Sequence, residues 1–331
     1  MKKLSILTPV YNEGAGVRRA YEEIQRVLRC ELPDTEIEII FIDDGSRDDT
    51  FLYLAGIART DDTVKVVRFA GNRGSHMALR AGLRYATGDC AAYVPCDLQE
   101  PPSVVPKMAA LAEGDIQVVW ALRQNRNDPA MVKLFSRIFY FLAVRLVSRD
   151  LPQGIGTFLV RRMAIDALNE FGERNLAIDG ALAALGLVST SMMYDRQQRQ
   201  SGHSGWSLGK KLKHFADFFV AHSYIPIRLM SYTGMIVAAL GFLYAGVLVF
   251  DRLFLLKPIT GWTSIMVVVL VVGGLQMIMS GVIGEYVWRT LDEARGRPHY
   301  IIEETLNIHG IAGTEAFSGT KGHIDSTALH P

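Results

Sequence analysis

Two stretches without a charged residue, Leu229–Phe250 and Pro258–Gly284, constrain this 331-residue chain more than any other feature. Each exceeds the roughly 20 apolar residues that cross a bilayer, so both are expected to be transmembrane helices joined as a hairpin. Buried core helices, the competing reading, are seldom uncharged for more than about five turns. Arg289, Arg295 and Arg297 follow the second stretch, so the positive-inside rule places both ends of the hairpin in the cytoplasm. The connection Asp251–Lys257 then lies on the far side, where Arg252 and Lys257 reduce the asymmetry a little. The N-terminal MKKLSILTPVYNE has too short an apolar run for a signal peptide, and the domain ahead of the spans is expected to stay in the cytoplasm.

In that domain, apolar runs of strand length alternate with segments of helical spacing. Lys3–Val10, Glu36–Ile42, Val64–Phe69, Cys90–Val94, Ile116–Leu122 and Gly154–Val160 read as strands. Gly14–Leu28, Phe51–Arg59, Ser75–Ala86 and most of Met163–Leu187 read as helices. Strands separated by helices of this length form βαβ units, hence a parallel sheet covered on both faces. Ligands of such sheets sit outside the carboxyl ends of the strands, where Tyr11–Glu13, Asp43–Ser46 and Asp97–Gln99 all fall.

Pro129–Val147 is amphipathic, with Lys133, Arg137 and Arg145 spaced among aromatic residues. Either a packed core helix or a helix at a membrane surface fits it, and the apolar segments downstream favour the membrane. Leu208–Val220, which mixes three lysines with three phenylalanines, reads as a second interfacial helix after the basic, glycine-punctuated loop Arg196–Trp206. A net charge of +1 argues against a nucleic-acid binder. Cys30, Cys90 and Cys96 are few, odd in number and without metal-ligand spacing, which predicts free, mostly buried thiols in a reducing compartment.

LSILTPVYNE, IIFIDDGSRDDT, NRGSHMALRAGLRYATGD, CDLQEPP and RQSGHSGWSLGKKLK, in this order ahead of two apolar segments, resemble the inverting family 2 glycosyltransferases with the GT-A fold. Within them the chain is most similar to the polyprenyl-phosphate, dolichol-phosphate mannose synthase-like branch. The resemblance covers about residues 3–300 and implies an α/β architecture with a Rossmann-like, mostly parallel sheet. Residues 1–206 would form the GT-A domain, with an amphipathic juxtamembrane helix near 129–147. An interfacial helix would follow at 207–228, then spans at 229–250 and 258–284 and a cytoplasmic tail at 285–331.

The implied activity is inverting transfer of one sugar from a nucleotide diphosphate sugar to a polyprenyl phosphate such as undecaprenyl phosphate. It would take place at the cytoplasmic face of the inner (plasma) membrane, in a multi-pass protein with both termini in the cytoplasm. Expected partners are the nucleotide sugar, the lipid phosphate and the membrane. Self-association stays open, because His299–Glu303 could pair as an edge strand with the sheet or with a neighbour.

A nucleotide needs acceptors for its base and ribose hydroxyls, which Asp43 and the loop Pro9, Tyr11, Asn12 and Glu13 could supply. Asp44, Gly74, Gln99 and Trp206 complete the donor-binding set that the resemblance implies. Asp97 is the expected ligand of Mg²⁺ or Mn²⁺, ions that need only one or two carboxylates beside substrate phosphates. Arg123, Lys133 and Ser136 resemble the family's acceptor-phosphate site, while Arg199 with Lys210 and Lys211 could hold either phosphate group, with Lys210 placed in the acceptor set. Asp97, Arg123 and Arg199 are therefore the expected catalytic residues, while His76 and His203 are assigned no catalytic role. A helix-capping role for Asp43–Ser46 and a turn-starting role for Asp97 stay open.

The sequence departs from the family at Pro95, where the usual pattern has a first acid, and at Thr157, where many lipid-linked members carry one. A phosphate monoester is already anionic near neutral pH, its second pKa being about 6, so such an acceptor needs no strong base. The alternative function is a catalytically degenerate paralogue that binds nucleotide or lipid as an assembly partner.

Overall fold

The computed structural model describes residues 1–124, 152, 154–172, 177–197, 225–254 and 261–308. The expected helices at Pro129–Val147 and Leu208–Val220 lie outside these residues. In chain order the domain runs β1 (Lys3–Val10), α1 (Gly16–Glu31), β2 (Glu36–Asp43), α2 (Thr50–Ala58), β3 (Val64–Phe69), α3 (Ser75–Tyr85) and β4 (Cys90–Tyr93). It continues with α4 (Val104–Leu111), β5 (Val118–Arg123), β6 (Ile155–Arg161), α5 (Arg162–Glu170), α6 (Ile178–Ala184) and β7 (Ser189–Tyr194). Two long helices, α7 (Ile225–Phe254) and α8 (Trp262–Ala294), precede a last strand, β8 (Ile302–Leu306).

The strands form one sheet in the order β7-β5-β6-β4-β1-β2-β3-β8. The block β4-β1-β2-β3 is parallel throughout, as is the β5–β7 pair, whereas β6 runs antiparallel to both neighbours and β8 antiparallel to β3. The expected GT-A-like α/β sheet is therefore present, mostly parallel, with two antiparallel insertions. Strand register makes the two faces explicit. Ile39 and Phe41 of β2 pack with Val17 and Ile24 of α1, Leu54 of α2 and Met108 of α4. Ile40 and Ile42 pack with Leu79 and Leu83 of α3, Ile165 of α5 and Leu182 of α6. A strand buried on both faces reads as a continuous apolar run, which is why EIEIIFID was legible as a central strand. Burial of each such side chain contributes about 1.5–3 kcal/mol.

Two elements have no counterpart in the sequence reading. Helix α4 follows Pro101-Pro102 and carries Pro106 in its first turn, where a missing N–H costs nothing. Strand β7, STSMMY, lies at the sheet edge with only Tyr194 buried, so it lacks an apolar run. The expected Met163–Leu187 helix is instead the pair α5 and α6, and α5 ends at Glu170. The edge pairing expected after the second apolar stretch is found on this sheet, where Ile302–Leu306 bonds to β3. Tyr300 stacks on Phe69 with ring centroids 4.7 Å apart, and Asn307 donates its side-chain amide to the Ala58 and Val64 carbonyls. The cysteines are free, with Cys90 and Cys96 buried and Cys30 exposed.

Among the described residues one helical stretch, Val271–Asp292, is long and apolar enough to cross a membrane, and none of its most apolar window is buried. Met230–Tyr244 in α7 is a shorter apolar segment. Phe242 and Met277 are among the large apolar side chains that the two helices leave exposed.

At the end of the sheet opposite the carboxyl edge, Glu38 of β2 is buried and accepts hydrogen bonds from Ser5, Lys65 and Thr87. Burial pushes its carboxyl up, but the bonds from Lys65, Ser5 and Thr87 outweigh it and hold the pKa down to about 2. A carboxyl depressed on folding stabilises the native state above its unfolded value of about 4.3 and loses that contribution as pH falls through the folded value. Glu38→Gln is expected to cost about 2–3 kcal/mol near neutral pH. Unfolding followed against pH should show the gap between wild type and variant full above roughly pH 5 and closing toward pH 2.

Candidate active site

The parallel register β1–β2–β3 brings three loops to one edge. Val10 pairs with Asp43, and Asp43 with Arg68, so the carboxyl ends of these strands stand side by side. Asn12 has a φ of 53°, a conformation asparagine tolerates better than most residues. Its N–H donates to Ser46 Oγ at 3.0 Å and its Oδ1 accepts from Arg47 N at 2.9 Å, which ties the first loop to the second. The Glu13 N–H donates to Thr50 Oγ1 at 3.0 Å. Gly45, at φ 71°, lies so close to the loop after β3 that a Cβ would stand 2.6 Å from the Gly71 carbonyl carbon, so only glycine fits.

Asp43 is fully buried. One carboxylate oxygen accepts from Ser46 N at 2.9 Å. The other, Oδ2, accepts no hydrogen bond among the described residues, although Arg68 Nε stands 3.6 Å away. Arg68 also lies 3.3 Å from Glu303 of β8 and over the Phe51 ring at 4.4 Å. Asp44 plays a different part. It accepts from Arg73 N at 2.6 Å and Gly74 N at 2.8 Å, holding the loop after β3 in place. Burial pushes its carboxyl up against these two bonds. The Gly74 N–H is thus engaged within the protein, whereas Asp43 Oδ2 is a buried acceptor without a hydrogen-bond partner among the described residues. Pro9 pairs with Ile42 within the sheet, and Tyr11 at the tip of its loop is 43% exposed.

After β4 the chain turns through Asp97, whose Oδ1 accepts from Gln99 N at 3.1 Å, with Leu98 at φ 54°. Burial pushes the Cys96 thiol up, and the negative charges of Glu13 and Asp97 add to the shift. No group of three or more His, Cys, Asp or Glu side chains converges among the described residues. The donor set present nevertheless fits a hard divalent cation, which takes one or two carboxylates and completes its shell with substrate phosphates and water. Thr157, in the place where an acid was expected by resemblance, donates its hydroxyl to the Tyr93 carbonyl and is buried.

On the other side of the Asp97 turn is a charge cluster of which sequence reasoning named Arg123 but missed Glu100, Tyr194 and Arg196. Glu100 is 4% exposed and pairs with Arg123 Nη2 at 2.9 Å, with Arg196 Nε at 3.5 Å, and accepts from the Tyr194 hydroxyl at 3.1 Å. Burial pushes the Tyr194 hydroxyl up to about 12, with the Glu100 charge adding to it. For Arg123, burial works downward, but Glu100 and Tyr194 outweigh it and raise the guanidinium above its ordinary value. Arg196 also donates to Gln99 Oε1, and Gln197 N donates to the Gln99 carbonyl at 3.0 Å. The only signal in the sequence was an acid fixed between Gln99 and two prolines. The predicted residues Lys133, Ser136, Arg199, Trp206 and Lys210 lie outside the described residues.

Comparison with known proteins identifies the family of the chain. The family model for Glycosyl transferase family 2 matches residues 5–168, and the chain belongs to that family. It is 32% identical over 306 residues to the uncharacterized glycosyltransferase YkcC of Bacillus subtilis (strain 168), covering 92% of this chain and 94% of that one. It is 33% identical over 306 residues to the SfII prophage-derived bactoprenol glucosyl transferase of Shigella flexneri, covering 92% and 98%. Among solved structures, glucosyl-3-phosphoglycerate synthase from Mycobacterium tuberculosis superposes with a TM-score of 0.47 at 18% identity, over 67% of this chain and 80% of that one.

Gly156 shows how tightly the cluster is built, since a Cβ there would stand 1.8 Å from the Tyr194 hydroxyl oxygen. Gly156→Ala is expected to destabilise the domain by about 1–3 kcal/mol through overpacking. In a double-mutant cycle of unfolding free energies with Tyr194→Ala, the double variant should cost less than the sum of the two single costs.

Proposed function

We propose that this chain moves one sugar from a nucleotide diphosphate sugar to a polyprenyl phosphate at the cytoplasmic face of a membrane, with inversion at the anomeric carbon. The observation that carries the reading is the two-sided sheet edge. A buried Asp43 oxygen without a hydrogen-bond partner among the described residues lies on one side of the Asp97 turn, and the guanidinium cluster on Glu100 lies on the other. The near full-length likeness to a bactoprenol glucosyl transferase supports the same acceptor class.

In this reading Asp43 accepts an N–H of the base or a ribose hydroxyl, and the loop from Pro9 to Glu13 with Gln99 closes the nucleotide site. Asp97 would hold Mg²⁺ or Mn²⁺ together with the donor's diphosphate oxygens, and the cation's contribution when bound is to offset the negative charge developing on the leaving group. Arg123 orients the acceptor phosphate. One phosphate oxygen attacks the anomeric carbon from the face opposite the nucleotide. The new C–O bond forms as the bond to the β-phosphate oxygen breaks, and the nucleoside diphosphate leaves with the electron pair. An acceptor that is already anionic is consistent with Thr157, a residue that cannot act as a strong base and whose hydroxyl is bonded to the Tyr93 carbonyl. Arg199, Lys133, Ser136, Lys210 and Trp206 keep the roles that resemblance gives them.

Residues 1–206 form the catalytic domain in this proposal, and α7 with α8 anchors it as a hairpin between interfacial helices and a cytoplasmic tail. Val271–Asp292 supports one span directly, and the exposed apolar surface of both helices calls for a lipid covering. Pro95 and Thr157 motivate the second reading, a degenerate paralogue that binds nucleotide or lipid as an assembly partner.

Solubilised protein supplied with nucleotide sugars, Mg²⁺ or Mn²⁺ and undecaprenyl phosphate is expected to yield a glycolipid, and failure with every common donor would overturn the proposal. Calorimetric titration of the nucleoside diphosphate should show tighter binding with the cation than without, and Asp97→Ala should remove that gain. A wild-type protein whose nucleotide affinity is indifferent to the cation would favour the degenerate paralogue.

A further inference from the structure

The Glu100 cluster contains a residue to which neither resemblance nor the proposed mechanism gives a role. Arg196 follows β7 by two positions, and its guanidinium meets that of Arg123 at a single carboxylate oxygen, Glu100 Oε1. The charges are layered. The Glu100 side chain is only 5% exposed, whereas those of Arg123 and Arg196 are 29% and 38% exposed. One buried carboxylate therefore supports two cations that reach solvent, and the cluster keeps a net positive charge beside the Asp97 turn. Arginine offers five N–H donors, so bonding to Glu100 leaves each guanidinium with donors to spare. Two arginines converging from different elements match the oxygens of a phosphate monoester better than one does.

We propose that Arg196 is a second ligand of the acceptor phosphate, set beside Arg123 by the buried Glu100. This assignment rests on the polyprenyl-phosphate reading above. Arg196 also donates to Gln99 Oε1, which defines a rival role as a strut of the turn that carries Asp97. The two roles load different substrates. A phosphate ligand acts on the acceptor, while a strut acts on the nucleotide and its cation.

The test uses the full chain in detergent with three probes: farnesyl phosphate, farnesol and UDP with Mn²⁺. Arg196→Met is expected to weaken farnesyl phosphate binding by about tenfold or more, the scale of one charge-assisted hydrogen bond. It should leave farnesol and UDP–Mn²⁺ binding within about twofold, and Arg196→Lys should recover part of the loss by restoring the charge. Inorganic phosphate competing as well as farnesyl phosphate would assign the site to free phosphate and overturn the lipid-acceptor form of the proposal. Glu100→Gln provides an independent arm through the support rather than the ligand. Its uncompensated guanidinium pair should loosen farnesyl phosphate binding even though the net positive charge rises, whereas a purely electrostatic cluster would bind it more tightly. Unchanged farnesyl phosphate affinity in Arg196→Met overturns the assignment, as does a loss confined to UDP–Mn²⁺. A wild-type chain that binds UDP–Mn²⁺ but no farnesyl phosphate overturns the acceptor reading itself, an outcome distinct from failure of Arg196 alone.

Discussion

Parallel pairing of β1 with β2 on one side and β4 on the other is the constraint from which the site follows. It aligns the carboxyl ends of three strands, so the residues just beyond them become neighbours although the chain separates them by tens of positions. Asn12, Asp43, Ser46 and Gly74 come together only because of that register, and hydrogen bonds between loops then lock them. Asp43 and Asp44 illustrate how finely register divides work. Adjacent in sequence, one carboxylate faces Arg68 with an oxygen unbonded among the described residues, and the other is consumed in holding the loop after β3.

The sheet also joins parts of the chain that composition alone would assign to different regions. Strand β8 comes after the second long helix, yet it bonds to β3 and places Glu303 against Arg68, itself opposite Asp43. This edge of the sheet is therefore completed by residues beyond the apolar segments. Arg68 is partly buried and Glu303 half exposed, and the significance of the pair lies in where it holds the guanidinium.

Much of this was legible from residue patterns. Strand β1 and strand β3 match their expected bounds, because apolar runs of that length between turn residues leave few alternatives. The DDGS and CDLQEPP turns were recognisable as site material because polar residues cannot continue a buried strand. Less visible were α4, hidden by its prolines, and β7, whose edge position removes the need for apolar side chains. Gly156 looked unremarkable until the Tyr194 hydroxyl was found against it.

By itself, the sequence determined the α/β class, the positions of the principal turns and the family to which the chain belongs, since these depend on local periodicity and motif order. Only the tertiary structure decided which charges meet. Glu100 lies three residues after Asp97 and well before Arg123 and Arg196 in the chain, and no spacing rule joins it to either arginine. The arginines reach it because β5 and β7 pair in parallel and bring Arg123 and Tyr194 opposite one another. Long-range register has no local signature, and for that reason the loops after β1, β2 and β4, and Arg123 by itself, could be read from the chain while the meeting of Arg123 and Arg196 on Glu100 could not.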